Sequence, residues 1–218
     1  MFIAIVPAYN EEKHIGFVVR NLFCHVDNVV VVDDSSTDNT SKIAKEAGAV
    51  VIRHEINRGQ GASLETGHQY ARSVGATHVI HFDGDGQFDV MDIKPALEKM
   101  KNENIDVILG SRFLGKESNI PFFKKKILFP IGRIINKIFA KIKITDVHNG
   151  FRIINQNALN KIIITHDGMA HATEILAQIK HHNLKYIEYP VQVEYRKYGQ
   201  GLGGGVKIVK DLFFSKFI

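Results

Sequence analysis

The stretch HVIHFDGDGQF, residues 78–88, decides how the rest of the chain is read. Thr77 to Phe82 is a β-branched and aromatic run that predicts a strand, and it ends in two carboxylates, Asp83 and Asp85, with an amide at Gln87. Alternation along an extended chain would turn these three side chains to one side. Ligands of open α/β sheets sit outside the carboxyl ends of the strands. Hard oxygen donors at that place suit Mg²⁺ or Mn²⁺ holding a diphosphate, and the metal ligands expected here are Asp83, Asp85 and Gln87. The plainer reading of an isolated DGDG is an acidic turn built on Gly84 and Gly86.

Working outward, residues 1–110 alternate strand and helix. Apolar runs end at Pro7, Asp33, Arg53, Asp83 and Gly110, with helical patterns at about 11–24, 38–47, 60–74 and 92–103. Thr37 or Asp38 and Gln60 stand near helix starts, the first two being good caps. Such alternation predicts an α/β fold with a mostly parallel, Rossmann-like sheet flanked by helices. After Gly110 the spacing changes. A short strand is expected around Phe151–Ile154, a helix at about 170–182 and a strand pair at about 184–196. This half reads as a smaller cap on the first, within a single domain over 1–218.

The 218 residues carry a net charge of +5 that hides an asymmetry. Residues 1–110 hold 10 Lys/Arg against 16 Asp/Glu, and residues 111–218 hold 18 against 7. An acidic half able to hold a cation is joined to a basic half able to meet phosphates. No helix-turn-helix, zinc-finger or RNA-binding signature accompanies the basic half, so nucleic acid is not the expected partner. The single Cys24 fits a reducing, cytoplasmic setting. Phe2–Ala8 reads as a first strand rather than a leader, and no apolar run reaches the ~18–20 residues of a membrane span.

Four strand ends carry polar loops in order. PAYNEE (7–12) brings Pro7, Tyr9, Asn10 and Glu11; VVVVDDSSTDNT (29–40) brings Asp33 and Asp34; NRGQGAS (57–63) is glycine-rich and basic; DGDGQ is the fourth. Carboxylates after the second strand can accept from a base imide or ribose hydroxyls, and the helix starts are expected to offer free N–H groups. Each loop alone is ordinary turn chemistry; the set in this order is specific.

Together with GSRF (110–113), Arg133, Asn136, ITDVHNGFR (144–152) and EYR (194–196), these motifs resemble the family 2 glycosyltransferases of GT-A type, most closely the dolichyl- or polyprenyl-phosphate mannose and glucose synthases. The resemblance spans residues 3 to about 203. It implies that Pro7, Tyr9, Glu11, Asp33, Asp34, Gly61, Asp83 and Gly84 hold the nucleotide sugar, a GDP- or UDP-hexose. It also implies that Asp85 with Gln87 holds the metal, and that Arg112 and Arg196 meet phosphates. GQGL (199–202) departs from the G-x-S-K-like loop that often follows the late arginine in that branch.

The expected chemistry follows from charge. Departure of a nucleoside diphosphate builds negative charge that a metal and arginines can neutralise, and attack from the opposite face inverts the anomeric centre. A sugar hydroxyl as acceptor would need a general base, for which Glu174 is preferred over Asp146 and Asp89. A lipid phosphate is already ionised and needs none. The alternatives are a saccharide hydroxyl acceptor on the same fold, or a non-catalytic nucleotide-sugar-binding subunit.

Two basic, apolar segments bear on location. A helix over Val206–Ile218 would gather Val206, Val209, Phe213 and Phe217 on one stripe beside Lys207, Lys210 and Lys216. PFFKKKILF (121–129) packs aromatics around lysines. Such segments can lie in a membrane interface, each basic residue contributing about 1 kcal/mol near anionic lipid. The alternative is packing on the core, on a membrane partner subunit or on a second copy. The histidines show no metal spacing. His148 and His171 lie toward the acceptor side, and His68, Gln69 and Tyr70 read as helix surface.

Overall fold

The computed structural model describes residues 1–115, 142 and 144–193. Arg133, Asn136, Arg196, the 199–202 loop and the 206–218 helix lie outside them, as does the 121–143 segment apart from Ile142.

Among the described residues seven strands form one sheet: β1 (Phe2–Ala8), β2 (Asn28–Asp33), β3 (Val50–Arg53), β4 (His78–His81), β5 (Val107–Ser111), β6 (Arg152–Asn155) and β7 (Tyr186–Pro190). Their order across the sheet is β3-β2-β1-β4-β6-β5-β7. All neighbours are parallel except β6, which runs antiparallel to both β4 and β5. The helices are α1 (Ile15–Leu22), α2 (Thr40–Glu46), α3 (Gln60–Ser73), α4 (Ile93–Asn102), α5 (Gln156–Lys161) and α6 (His171–His181). A 3₁₀ turn, Val90–Asp92, leads into α4.

FIAIVPA and NVVVVD are continuous apolar runs because both sheet faces are covered. Alternation sends Ala4, Val6, Val29, Val31, Ile80 and Ile153 to the side packed by Ile15, Val19, Ala44 and Met100 of α1, α2 and α4. Ile3, Ile5, Val30, Val32, Val79 and Ile154 face Leu64, Leu159 and Ile175 of α3, α5 and α6. The expected mostly parallel α/β sandwich is therefore present, and residues from both halves build it.

Several local expectations change. The helices keep their places but are trimmed, α1 beginning at Ile15 after a turn in which the Glu11 carbonyl accepts from His14 and Ile15. The N-cap of α2 is Asn39 rather than Thr37 or Asp38, although Asp38 Oδ1, one residue earlier, accepts the Thr40 amide at 2.9 Å. α5 was not anticipated; Asn155 caps it through the Ala158 amide at 2.9 Å. Of the strand pair expected over 184–196, the described residues, which end at Val193, show one strand, β7, parallel to β5, and a bridge from Val193 to Phe88.

Strand β4 stops at His81, one residue short of the expected Phe82, and is not continued as an extended run through the carboxylates. The chain turns at Gly86, whose φ is +70°, and returns Phe88 to stack edge-on against Phe82 and Phe151, with centroids 5.5 and 6.0 Å away. Packing three rings outweighs two more strand residues, so Asp83, Asp85 and Gln87 do not alternate along one extended run.

His68 is fully buried, not surface. α3 is covered by the sheet on one side and by the 156–181 segment on the other, with Arg72 donating to the Leu159 carbonyl at 3.0 Å. His68 Nε2 lies 2.7 Å from His81 Nε2, and burial holds both imidazoles neutral, His68 down to about 3 and His81 well below its ordinary value.

Close approach of α3 to β1 depends on Gly67, where a Cβ would collide with Ile5 Cγ2. Gly67→Ala is expected to lower unfolding free energy by about 1–3 kcal/mol. Gly168→Ala, where a Cβ meets nothing within 4 Å, should change it by under ~1 kcal/mol. Urea midpoints measured side by side check both.

Candidate functional site

The carboxyl ends of β1, β2 and β4 and the start of α3 surround a cleft of about 260 Å³, lined by Pro7, Ala8, Tyr9, Glu11, Asp34, Gln60, Ser63, Asp83, Gly84 and Asp85. Seven of the residues expected from sequence thus meet at one place: Pro7, Tyr9, Glu11, Asp34, Asp83, Gly84 and Asp85. Gln60 and Ser63 were missed as wall residues, although the GQGAS motif that holds them was noted. Gln87, Asp33 and Gly61 are not in the wall.

Each loop is pinned by its neighbours. The PAYNEE loop is zipped to the loop after β2. Asn10, at φ +57°, donates its amide to Ser36 Oγ at 2.9 Å and accepts the Thr37 amide at 2.9 Å. The Glu11 amide reaches Thr40 Oγ1 at 2.8 Å, and Glu12 accepts the Asn39 amide at 3.1 Å. Asp33 is fully buried and organises its own loop, accepting from the Ser36 amide, the Ser41 hydroxyl and Arg53. Asp34 reaches the next loop, accepting from the Arg58 amide at 2.8 Å and the Gly59 amide at 2.6 Å, with His54 Nδ1 at 2.8 Å.

Several N–H groups at and just before the helix starts already have acceptors. At α2 the amides of Ser36, Thr37, Asn39 and Thr40 all donate to side chains of these loops. At α3 the amides of Gly61 and Ala62 share the Asp167 carbonyl at 2.8 and 3.2 Å. Gly61 serves close packing here, since a Cβ would collide with the His166 carbonyl oxygen.

The electrostatics are those of crowded carboxylates. Burial and then repulsion by Asp85 push Asp83 up to about 7, against the opposing pull of Arg152 and Arg112. Burial, then Asp85 and Asp38, push Glu11 up to about 7. Gln60 Nε2 donates to Asp83 Oδ1 at 3.2 Å. Beneath lies Arg152, 3% exposed, brought down by burial to about 10 while Asp83 and Asp146 favour its charge. Gly150 is a further residue that sequence reasoning missed: a Cβ there would run into the Asp83 carboxylate.

Among the described residues no three His, Cys, Asp or Glu side chains enclose a metal unaided. Asp83 and Asp85 instead fit a hard divalent cation that takes its remaining ligands from water and diphosphate oxygens. Their mutual repulsion is what such a cation would relieve.

Of the proposed bases, Asp146 is 4% exposed and grips Arg112 by both oxygens, Nε to Oδ2 and Nη2 to Oδ1, each at 2.6 Å. Glu174 accepts from the amides of Thr165 and His166 at 3.0 Å each. Burial raises its pKa, but hydrogen bonds from the Thr165 hydroxyl and then the His166 and Thr165 amides more than offset that and leave it lowered. Asp89 accepts the Met91 amide at 2.9 Å. His171 is buried and neutral, brought down to about 4 by burial and then Arg152, with Nδ1 on the Gly168 carbonyl at 2.8 Å. The His148 ring is also held low by burial.

The acidic cleft lies at the carboxyl ends of a mostly parallel sheet, the arrangement of the GT-A fold, and the comparisons agree. The family model "Glycosyl transferase family 2" matches residues 3–163, so the chain belongs to that family and is a glycosyltransferase. An uncharacterised protein of Methanocaldococcus jannaschii is 35% identical, over 97% of this chain and 90% of its own. The UDP-N-acetylglucosamine–dolichyl-phosphate N-acetylglucosaminyltransferase of Methanococcus voltae is 31% identical, over 96% of this chain and 92% of its own. Glucosyl-3-phosphoglycerate synthase from Mycobacterium tuberculosis, solved with Mn²⁺, UDP and glucosyl-3-phosphoglycerate, shares the fold with a TM-score of 0.71 at 17% identity, over 97% of this chain and 78% of that one.

Two measurements follow. Because its pKa is about 7 folded against an ordinary 3.8, Asp83 holds a proton in the folded state that the unfolded chain releases earlier. Its contribution to stability is therefore lost as pH rises from about 4 through 7. Asp83→Asn should melt with the wild type at pH 4.5 and above it at pH 8, both metal-free, in thermal scans across pH. Gly150→Ala, by displacing the Asp83 carboxylate, should weaken Mn²⁺–UDP binding about tenfold or more in calorimetry.

Proposed function

We propose that the protein is a metal-dependent, inverting transferase that moves a hexose or N-acetylhexosamine from a nucleoside diphosphate to a polyprenyl phosphate. The observation that carries this is the engagement of every carboxylate offered as a base: Asp146 is clamped on Arg112, Glu174 holds the 165–166 amides, and Asp89 caps a turn. An acceptor hydroxyl would have to lose a proton to such a group, whereas a phosphomonoester oxygen is already anionic. The Methanococcus voltae relative, named for a dolichyl-phosphate acceptor and a UDP-N-acetylglucosamine donor, supports the same acceptor class and makes UDP-sugars the donors to test first.

In this reading Tyr9, Asp34 and Ser63 line the nucleoside end of the cleft, and Asp83, with Gln60 behind it, meets the sugar and ribose side. Asp85 with Asp83 would hold Mg²⁺ or Mn²⁺, which supplies charge neutralisation to the departing diphosphate. Arg112 adds a fixed positive charge near the same atoms; its field is already felt at Asp83. The bond from the anomeric carbon to the β-phosphate oxygen breaks as the lipid phosphate oxygen attacks from the opposite face, with no proton transferred. Among the described residues no helix is long and apolar enough to cross a membrane. In this reading a lipid acceptor brings the chain to a bilayer surface, on the cytoplasmic side where nucleotide sugars are found, and the basic 121–143 and 206–218 segments, a membrane partner or a second copy are the candidate contacts. Transfer to a saccharide hydroxyl is the competing acceptor.

Purified protein with Mn²⁺, labelled UDP- and GDP-sugars and undecaprenyl or dolichyl phosphate should place label in the organic phase. Asp85→Ala or chelator should abolish it by about 100-fold or more. Donor hydrolysis with no lipid-soluble product, and label instead on an added saccharide, would replace the acceptor.

A further inference from the structure

Glu188 lies on the edge strand β7, far along the chain from the acidic loops, yet it is wired toward them. Its Oε1 accepts the Thr145 amide at 2.7 Å, the Thr145 hydroxyl at 2.7 Å and the Asp146 amide at 3.3 Å. Thr145 Oγ1 also meets Ser111 Oγ at 2.6 Å, and that hydroxyl accepts the Phe113 amide at 3.2 Å. Ser111 and Phe113 flank Arg112. One acceptor on β7 thus fixes the 145–146 backbone and, through two hydroxyls, the backbone on each side of the arginine.

From that anchored position Asp146 closes on Arg112 with three bonds: both guanidinium contacts at 2.6 Å and the backbone amide of Arg112 at 3.1 Å. Asn149 Nδ2 steadies Asp146 Oδ2 at 3.3 Å. A bidentate fork fixes a guanidinium in direction as well as place, which a single contact to a flexible side chain does not. A carboxylate so engaged is badly placed to take a proton from a substrate.

The geometry points to Asp146 and Glu188 as positioning residues for Arg112, a relay that aims the guanidinium at the leaving diphosphate; neither acts as a base. This rests on the transferase reading above, in which Arg112 meets donor phosphate. Holding the positive charge still before the reaction spares the reorganisation that a mobile arginine would need while charge develops. Ordering of this kind affects turnover and diphosphate affinity together, and it works only while Arg112 is there to be ordered.

A double-mutant cycle on the full-length chain separates the roles, using Arg112→Gln, Asp146→Asn and the pair, with sugar transfer and the dissociation constant of Mn²⁺–UDP as readouts. Asp146→Asn is expected to lower kcat by about 10- to 100-fold with an unchanged pH profile. The double variant is expected to fall within about twofold of Arg112→Gln in both readouts. Glu188→Gln, which keeps the accepting oxygen, should retain most activity, and Glu188→Ala should behave as a weaker Asp146→Asn. Losses that multiply in the double variant, or loss of one limb of the pH profile in Asp146→Asn, would overturn the relay and restore a base. A Glu188→Ala protein with wild-type kcat and affinity would remove β7 from it. A wild type that binds Mn²⁺–UDP with the expected non-additive losses, but glycosylates no lipid phosphate, would keep the relay and refute only the acceptor; a wild type that neither binds nor transfers would overturn both.

Discussion

A guanidinium buried inside the sheet governs the arrangement around it. Arg152 stands on β6 between His81 of β4 and Leu109 of β5, in the one strand that runs against the others. A charge taken out of water is tolerated only beside opposite charge. Here that role falls to Asp83 above it and Asp146 beyond, both of which favour the charged arginine. Reversal of β6 is what makes this possible, because the HNGF turn that precedes the strand arrives at the same end of the sheet as the carboxylates. Gly150 lets the Asp83 carboxylate lie against its backbone, and Phe151 completes the aromatic group under the acidic turn.

The strand-end loops show how the cleft keeps its sign. Helix N-termini usually lend N–H groups to an anion, but Asp38 takes the Thr40 amide of α2, and the Asp167 carbonyl takes the Gly61 and Ala62 amides of α3. What remains facing the cleft is largely carboxylate, with Glu11 and Asp83 both raised toward neutrality. A bare diphosphate would be repelled by such a surface; a diphosphate carrying a divalent cation would not. The side chains that build the loops therefore set the form in which a phosphorylated ligand is acceptable.

Much of this was legible along the chain, and the reason is local. β1, β2 and β4 carry unbroken apolar runs, and their polar loops follow at once, so fold class and seven wall residues could be read from residue order. The misreadings came from contacts between distant segments. The extended run through Asp83 is cut short because Phe88 prefers Phe82 and Phe151, a choice that depends on residue 151 arriving next door. Asp146 looked available for proton transfer until Arg112, thirty-four residues earlier, was seen in its grip. Glu188 carried no signal, since an acidic residue in a short strand is commonplace. The helical pattern of α3 placed His68 outside because nothing nearby shows that a second layer, α5 and α6, closes over it.

That closed layer has a consequence for the paired imidazoles. Between His68 Nε2 and His81 Nε2 there is room for one hydrogen only, so one ring must be the donor tautomer and the other the acceptor. The opposite nitrogen of each ring is buried without a hydrogen-bond partner. Replacing one ring by a hydrocarbon would strand the survivor with two unmet nitrogens in a dry interior. A hydrocarbon at one of these positions is therefore better matched by a hydrocarbon at the other than by the surviving imidazole.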